Sequence, residues 1–239
     1  MCDNHASART VVLEERVLAK NDRLAERNRA WFAERRILAL NVMSSPGSGK
    51  TTLLERTVRH TAGQVAVSVI EGDQETALDS QRLTAAGCRA VQVNTGAGCH
   101  LDAAMVAQAL VELDPPERSV LFVENVGNLV CPALFDLGET ARVVIVSVTE
   151  GPDKPLKYPH MFRSADLLVL NKVDLLPYLD LDVDAFGAAA RAVRPGVQLL
   201  PVSATRGDGL EDWYSWLSGQ LSAPAEILMP SRQSPLVPG

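Results

Sequence analysis

The chain has 239 residues, of which 46% are hydrophobic and 22% are charged, and these fractions are typical of a folded globular protein rather than of a disordered or fibrous one. Acidic residues outnumber basic ones by 29 to 23, a net charge of −6, which argues against binding of nucleic acid or anionic membranes through bulk charge. No stretch approaches the roughly 18 consecutive apolar residues of a membrane span, and the first residues lack the features of a signal peptide. We therefore predict a cytoplasmic protein that binds neither nucleic acid nor membrane.

The two ends of the chain differ from its middle. Residues 1–10 are polar and are predicted to be flexible, whereas residues 11–36 have apolar positions spaced among charged ones, without Pro or Gly, as in a long amphipathic helix. Residues 222–239 hold four of the 14 prolines and little charge, and this tail is predicted to be disordered.

Residues 37–221 are predicted to form one domain in which strands and helices alternate. Short apolar runs predict strands at 37–43, 65–70, 90–93, 120–123, 143–148, 167–170 and 197–202. Helices are predicted between them, at 51–59, 77–86, 101–113, 157–163, 183–194 and 210–221. Several runs are apolar throughout, as in strands covered on both faces. The order indicates a three-layer α/β/α fold with a mostly parallel sheet.

A phosphate-binding loop follows the first predicted strand. The segment from Ser44 to Thr51 matches G-x-x-x-x-G-K-[ST] except at its first position, where Ser44 replaces Gly. Glycines allow the backbone to turn its N–H groups toward phosphate oxygens, the Lys reaches the β- and γ-phosphates, and the Thr hydroxyl ligates Mg²⁺. This P-loop predicts a nucleoside triphosphate site formed by Gly47, Ser48, Gly49, Lys50, Thr51 and Thr52.

The base of that nucleotide is predicted to be guanine. Asn171-Lys172-Val173-Asp174 directly follows the sixth predicted strand, and the Asp174 carboxylate can accept hydrogen bonds from guanine N1–H and the 2-amino group together. Adenine has neither donor, so a buried site of this kind discriminates by about 10⁴-fold. Lys172 is predicted to lie against the base. Ser203 and Ala204, after the last strand, are predicted to bring a backbone N–H to the guanine oxygen.

Carboxylates end two further predicted strands. Asp73 is our first candidate, and Glu124 our second, for holding Mg²⁺ or the attacking water beside the γ-phosphate. The backbone N–H of Gly127 is free to contact that phosphate, which would make this loop sensitive to hydrolysis. Helix capping by Asp73 and a simple turn at Gly127 are the alternative. The predicted catalytic residues are Lys50, Asp73, Glu124 and Gly127, and the predicted Mg²⁺ ligands are Thr51, Asp73 and Glu124.

Two of the four cysteines lie in a possible metal site. Cys99 and His100 follow the third predicted strand and Cys131 follows the fourth, which we expect to be its neighbour in the sheet. Two thiolates and one imidazole suit Zn²⁺ or Ni²⁺, although simple packing of the cysteines is an equal alternative on spacing alone. Cys88 is predicted to be a packing residue. Four further residues, His60, His160, Cys2 and His5, are predicted not to be main-site ligands.

Together these motifs resemble the HypB family of hydrogenase nickel-incorporation GTPases. The matching segments are N-x-x-S-S-P-G-S-G-K-T-T from Asn41, V-I-E-G-D-Q from Val69, V-N-T-G-x-G-C-H-L-D from Val93, E-N-V-G-N-L-V-C-P from Glu124, D-K-P-L-K-Y-P-H-M-F from Asp153 and L-N-K-V-D-L-L-P-Y from Leu170. The resemblance runs from about residue 11 to about residue 221.

The resemblance implies a P-loop GTPase of the class that dimerises around its nucleotide. It implies a cycle between GTP and GDP that delivers nickel to the large-subunit precursor of [NiFe]-hydrogenase, with a HypA-type chaperone and in some cases SlyD as partners. Cys99, His100 and Cys131 match the metal site of the family's GTPase domain. The C-x-x-C-G-C motif and the His-rich stretch that some members carry near the N-terminus are not present in this sequence, so no high-affinity N-terminal nickel site or storage role is expected.

Three other functions compete with this one. An accessory GTPase for another nickel or cobalamin enzyme would share the phosphate and base motifs, but not the segment from Glu124 to Pro132 as it stands. A metal-binding scaffold with little GTP turnover is a rival of a different class. A P-loop kinase is disfavoured by Asn171-Lys172-x-Asp174.

Overall fold

A computed structural model describes residues 4–73, 78–96 and 98–223, with side chains from Arg16 onward. Seven parallel strands form one sheet in the order β3-β2-β4-β1-β5-β6-β7. The strands are β1 (Leu38–Ser44), β2 (Val67–Asp73), β3 (Arg89–Asn94), β4 (Val120–Glu124), β5 (Ala141–Ser147), β6 (Leu167–Asn171) and β7 (Gln198–Pro201). The predicted parallel sheet is confirmed, and so is each predicted strand to within a few residues.

Eight α-helices connect and cover these strands in the described part of the chain. They are α1 (Asn4–Arg35), α2 (Lys50–Thr61), α3 (Leu78–Ala85), α4 (Ala103–Leu113), α5 (Lys154–Lys157), α6 (Pro159–Ser164), α7 (Val183–Val193) and α8 (Leu210–Ser222). No described helix has the length and apolar character needed to cross a bilayer.

The sheet has an apolar core on each face because successive side chains of a strand point to opposite sides. On one face, Leu38 and Leu40 of β1 pack with buried residues of α2, α3 and α8, including the fully buried Trp213. On the other face, Ala39 packs with α1 and α4, and the strands β5 and β6 pack with α6 and α7. The result is the predicted three-layer α/β/α arrangement.

One predicted helix is preceded by a short helix that was not predicted. The helix predicted over 157–163 corresponds to α6, and the short helix α5 lies just before it, with Tyr158 between the two. Pro159 is the first residue of α6. A proline has no N–H to continue the preceding helix and pushes the residue before it out of the helical region, so Tyr158 ends α5.

The ends of the chain are only partly described. Helix α1 begins at Asn4 rather than at the predicted Val11, and residues 1–3, including Cys2, lie outside the described residues. The side chain of His5 is also not described. Helix α8 ends at Ser222. The predicted disordered tail lies outside the described residues from residue 224 onward.

The expected adjacency of the third and fourth strands is wrong, because β2 lies between β3 and β4. The chain after β3 nevertheless reaches β4 by crossing the carboxyl end of β2. Gly72 permits this crossing, since a Cβ there would lie 2.8 Å from Cγ of Leu101. The backbone N–H of Leu101 then donates to Oδ1 of Asn125, just beyond β4, at 3.0 Å.

Candidate nucleotide and metal sites

The phosphate loop joins β1 to α2 in the way that the motif predicted. Gly47 and Gly49 have positive φ angles of 71° and 93°, which residues with a Cβ rarely adopt. A Cβ at Gly49 would also lie 2.5 Å from Nδ2 of Asn171. The Lys50 ammonium donates to Oγ of Ser44 at 2.9 Å. The serine that replaces the motif's first glycine therefore holds the lysine in place.

Lys50 is half-buried and lies beside several carboxylates. Burial lowers the pKa of its ammonium, and the negative fields of Glu124, Asp79, Glu71 and Glu150 act in the opposite direction. The positive charge of the lysine therefore interacts with the carboxylates at the strand ends, and it lies where it could also interact with a bound phosphate.

Glu150, which the sequence reasoning did not single out, contacts the phosphate loop. Its carboxylate accepts hydrogen bonds from the hydroxyls of Ser45, at 2.5 Å, and Ser48, at 2.8 Å, and from the N–H of Ser147, at 2.8 Å. It lies just after the carboxyl end of β5, where open parallel sheets bind ligands. That position is the one signal that would have identified it.

The residues predicted to bind the base lie together against the phosphate loop. Nδ2 of Asn171 donates to the carbonyl of Ser48 at 2.8 Å, and Oδ1 of Asn171 accepts from the N–H of Ala204 at 3.1 Å. The hydroxyl of Ser203 donates to Oδ1 of Asp174 at 2.6 Å. Asn171 thus links the phosphate loop to the segment after β7.

Lys172 also contacts the phosphate loop. Its ammonium donates to the carbonyl of Gly47 at 2.7 Å, and its backbone has a positive φ of 65°. The N–H groups of Ser203 and Ala204 donate to Asp208 and Asn171 within the protein. Their contact with a guanine oxygen stays a prediction.

The hydroxyl of Thr51 meets one of the predicted magnesium ligands. It donates to Oε1 of the buried Glu124 at 2.7 Å. Within the described residues, Oε2 of Glu124 is buried and has no hydrogen-bond partner, and the same is true of Oε2 of Glu71. Magnesium prefers oxygen ligands of this kind, so the residues present fit a Mg²⁺ ion and its water shell. Asp73 ends β2 and is half-buried, and its role stays a prediction.

Glu71 makes the stability of the nucleotide-free protein depend on pH. It lies opposite Glu124 in the β2–β4 register, and burial, reinforced by the charge of Glu124, raises its pKa from 4.5 to about 8. The folded state therefore binds more protons than the unfolded chain between these two values, and its stability falls as the pH rises through that window.

The change Glu71→Gln, which removes the ionisable group, should raise the free energy of unfolding at pH 8 by roughly 2–4 kcal/mol and change it little at pH 5. Guanidinium denaturation of both proteins at the two pH values, without nucleotide or Mg²⁺, measures this difference. An effect of equal size at both pH values would contradict the assigned ionisation.

The three predicted metal ligands come together. The sulfur atoms of Cys99 and Cys131 and a ring nitrogen of His100 all lie within 4.8 Å of one another, and each residue is half-buried. Sγ of Cys99 is 3.6 Å from Nδ1 of His100. Hydrogen bonding to Cys131 and burial raise the pKa of the Cys99 thiol, and burial lowers the pKa of His100, which favours the neutral imidazole. Two sulfurs and one neutral nitrogen fit a borderline-soft divalent ion.

Cys88 and His60 are placed as predicted. Cys88 is buried in the core and burial raises its pKa to about 11. His60 is exposed and stacks on Tyr214, with the ring centroids 3.6 Å apart. His160 is exposed at the start of α6 and is not among the three residues of the metal cluster.

The loop after β4, which we call the bridging loop (residues 125–131), contacts both sites. A Cβ at Gly127 would lie 2.9 Å from Cα of Pro46 in the phosphate loop. Nδ2 of Asn128 donates to the carbonyl of Cys99 at 3.3 Å, and the loop ends at Cys131. One short segment therefore contacts the phosphate loop at Pro46 and the metal cluster at Cys99, and it contains Cys131.

These features define a nucleotide-binding protein of the P-loop class. They are a parallel sheet with a P-loop after β1, a buried carboxylate that contacts the threonine after the P-loop lysine, and the Asn-Lys-x-Asp motif after β6. Comparison with known families agrees, since residues 38–201 match the CobW/HypB/UreG nucleotide-binding domain.

Individual relatives show which of the three groups in this family name the chain resembles. Hydrogenase maturation factor HypB of Escherichia coli strain K12 is 57% identical over 215 residues, which span 90% of this chain and 74% of that protein. The crystal structure of HypB from Archaeoglobus fulgidus shares 42% identity and has a TM-score of 0.80, covering 86% of this chain and all of that one. HypB from Helicobacter pylori in complex with nickel shares 34% identity with a TM-score of 0.81, covering 90% and 99%. The chain belongs to the HypB family of hydrogenase maturation factors.

Proposed function

We propose that this protein is a Mg²⁺-dependent GTPase that carries nickel to the large-subunit precursor of [NiFe]-hydrogenase. The observation that carries the proposal is the bridging loop, which contacts the phosphate loop through Gly127 and the metal cluster through Asn128 and Cys131. A loop with both contacts is suited to couple hydrolysis to the handling of a metal ion.

Guanine specificity rests on Asp174. The carboxylate is held by the Ser203 hydroxyl and lies in a cluster built around Asn171. With GTP bound, Asp174 pairs with guanine N1–H and the 2-amino group, and an adenine base leaves it unpaired, which is costly in a partly buried site.

Hydrolysis is assigned to the phosphate end of the same cleft. Lys50 would compensate charge on the β- and γ-phosphates, Thr51 and Glu124 would hold Mg²⁺, and Asp73 is our first candidate for holding that ion or orienting the attacking water. When bound, Mg²⁺ supplies charge stabilisation at the phosphate oxygens. The backbone N–H of Gly127 contacts the γ-phosphate, which GDP does not have.

The metal cargo is assigned to Cys99, His100 and Cys131. Their donor atoms suit Ni²⁺ and Zn²⁺ alike, and nickel is favoured because a relative with this fold has been crystallised in complex with nickel. Loss of the γ-phosphate releases the bridging loop at Gly127, and the displacement of Cys131 changes the affinity for the ion. Because such coupling is reciprocal, metal also changes the affinity for nucleotide.

Assembly and location follow from family membership. We propose a cytoplasmic homodimer that works with a HypA-type nickel chaperone and, as in some members of the family, with SlyD. Residues 37–221 form its GTPase domain. The support is the family to which the chain belongs.

A turnover assay tests the proposal. The purified protein should hydrolyse GTP in the presence of Mg²⁺, slowly, as lone GTPases without a supplied arginine do, and should not hydrolyse ATP. Absence of GTP turnover, alone and with the hydrogenase precursor and HypA-type partner, would favour the metal-binding scaffold instead.

A further inference from the structure

One face of α1 carries polar side chains that are buried against the rest of the protein. Asn21 and Asn28 are 6% and 5% exposed, and the side chain of Arg29 is 12% exposed. The two asparagines are two helical turns apart and therefore share one stripe of the helix. Because buried polar groups are costly unless they are hydrogen-bonded, their partners indicate what this helix holds in place.

Each asparagine bridges the same two segments of the chain. Nδ2 of Asn21 donates to the carbonyl of Asp136 at 2.8 Å, and its Oδ1 accepts from the N–H of Ala103 at 2.9 Å. Nδ2 of Asn28 donates to the carbonyls of Ala103, at 2.9 Å, and Leu137, at 3.1 Å. Four hydrogen bonds from α1 therefore tie the start of α4 to residues 136–137.

Both segments lead directly to metal ligands. Ala103 is the first residue of α4 and follows His100 closely, while residues 136–137 follow the turn that begins at Cys131. Nη2 of Arg29 adds an ion pair at 2.6 Å to Oδ2 of Asp136. The helix is thus bonded on both sides of the metal cluster.

Two further contacts make this connection tight. The ring of Phe135 stacks on that of His100, with centroids 3.9 Å apart and planes inclined by 28°. A Cβ at Gly138 would lie 2.4 Å from the carbonyl oxygen of Ala25 and 2.8 Å from Cβ of Asn28, so residues 136–138 lie directly on the backbone of α1.

We propose that Asn21, Asn28 and Arg29 are positioning residues for the metal site. None of them is among the three residues of the metal cluster. By fixing the segment after His100 relative to the segment after Cys131, they set the separation of the nitrogen and sulfur donors, and so the affinity and geometry of the bound metal. This inference rests on the proposed metal site, which it extends to the N-terminal helix.

Nickel titration of the full chain with Asn28→Ala tests the inference. This change leaves the carbonyls of Ala103 and Leu137 without their shared donor, and we expect nickel binding to weaken by about tenfold or more. The thiolate-to-nickel charge-transfer absorption should shift, because the donor geometry changes. The affinity for GDP should be unchanged. Wild-type nickel affinity together with a wild-type absorption spectrum in this variant would overturn the inference.

A second pair of variants covers the case in which Asn28→Ala does not fold. Arg29→Gln, which removes only the ion pair with Asp136, should weaken nickel binding several-fold, and Arg29→Lys should restore it. Equal nickel affinity in Arg29→Gln and the wild type would also count against the inference.

Thr57→Val is the matched control, since it removes a buried hydrogen bond from Trp213 on the opposite face of the sheet. It should lower stability without changing nickel affinity. A loss of nickel affinity in this control equal to that of Asn28→Ala would indicate a general effect of destabilisation and overturn the inference. If the wild-type protein itself bound no nickel, the proposed metal site would fail, and this inference with it.

Discussion

Replacing Lys50 with alanine should reduce GTP turnover by about 10³-fold or more. The ammonium of Lys50 is buried at the start of α2 and is held by the Ser44 hydroxyl at 2.9 Å. Its removal takes away the positive charge that compensates the phosphates of the nucleotide. Release of inorganic phosphate from GTP under single-turnover conditions measures the effect.

The control for this change is Lys20→Ala. Lys20 is an exposed residue of α1, so its loss removes one positive charge without touching the phosphate loop, and turnover should remain that of the wild type. Turnover within tenfold of wild type in Lys50→Ala would mean that the phosphate loop does not carry the hydrolysis.

Replacing Cys131 with alanine should weaken nickel binding by about 100-fold or more, since a metal ligand contributes more than the outer-shell partners whose loss costs 10–100-fold. The remaining sulfur and nitrogen, from Cys99 and His100, offer two donors instead of three. Nickel titration followed by charge-transfer absorption gives both affinity and stoichiometry.

Cys88→Ala is the matched cysteine control. That thiol is 7% exposed, packs in the core, and has a pKa raised to about 11 by burial, so it should bind no metal and its loss should leave the titration unchanged. Unaltered stoichiometry and affinity in Cys131→Ala would remove Cys131 from the site.

Much of the fold could be predicted because the strands are short apolar runs and the helices between them are bounded by clear signals. The failures are local. The helix predicted over 157–163 corresponds to α6, whereas the one-turn helix α5 just before it was not predicted, because four residues are too few for an apolar period to show. The order of strands in the sheet depends on how loops cross, and the passage of Leu101 over Gly72 has no signature in a single sequence.

The site could be predicted wherever its residues lie in one short motif whose conformation is set by the motif itself. The phosphate loop and Asn171-Lys172-x-Asp174 are of this kind, because each is one continuous segment at a strand end. Glu150 and Phe135 were missed because each acts on a segment distant in the sequence: the former on the serines of the phosphate loop and the latter on His100. The metal cluster was found although the strand adjacency expected for it is wrong.

The role of the polar residues of α1 could not be predicted from the sequence for the same reason. The pattern over 11–36 predicts an amphipathic helix and says nothing of what its polar positions bind. Asn21 and Asn28 are buried only because α1 lies on α4 and on residues 136–138. A polar residue on the inner face of an amphipathic helix becomes informative once its partners are known.

The central claim is that the bridging loop couples the nucleotide to the metal. Nickel titration of the wild-type protein with Mg²⁺, once with GDP and once with a non-hydrolysable GTP analogue, tests it most directly. Coupling between sites typically changes affinity by about 5- to 150-fold, and we expect the two nickel dissociation constants to differ by about tenfold, with nickel shifting the affinity for the analogue by the same factor. Equal nickel affinity in the two nucleotide states would contradict the account.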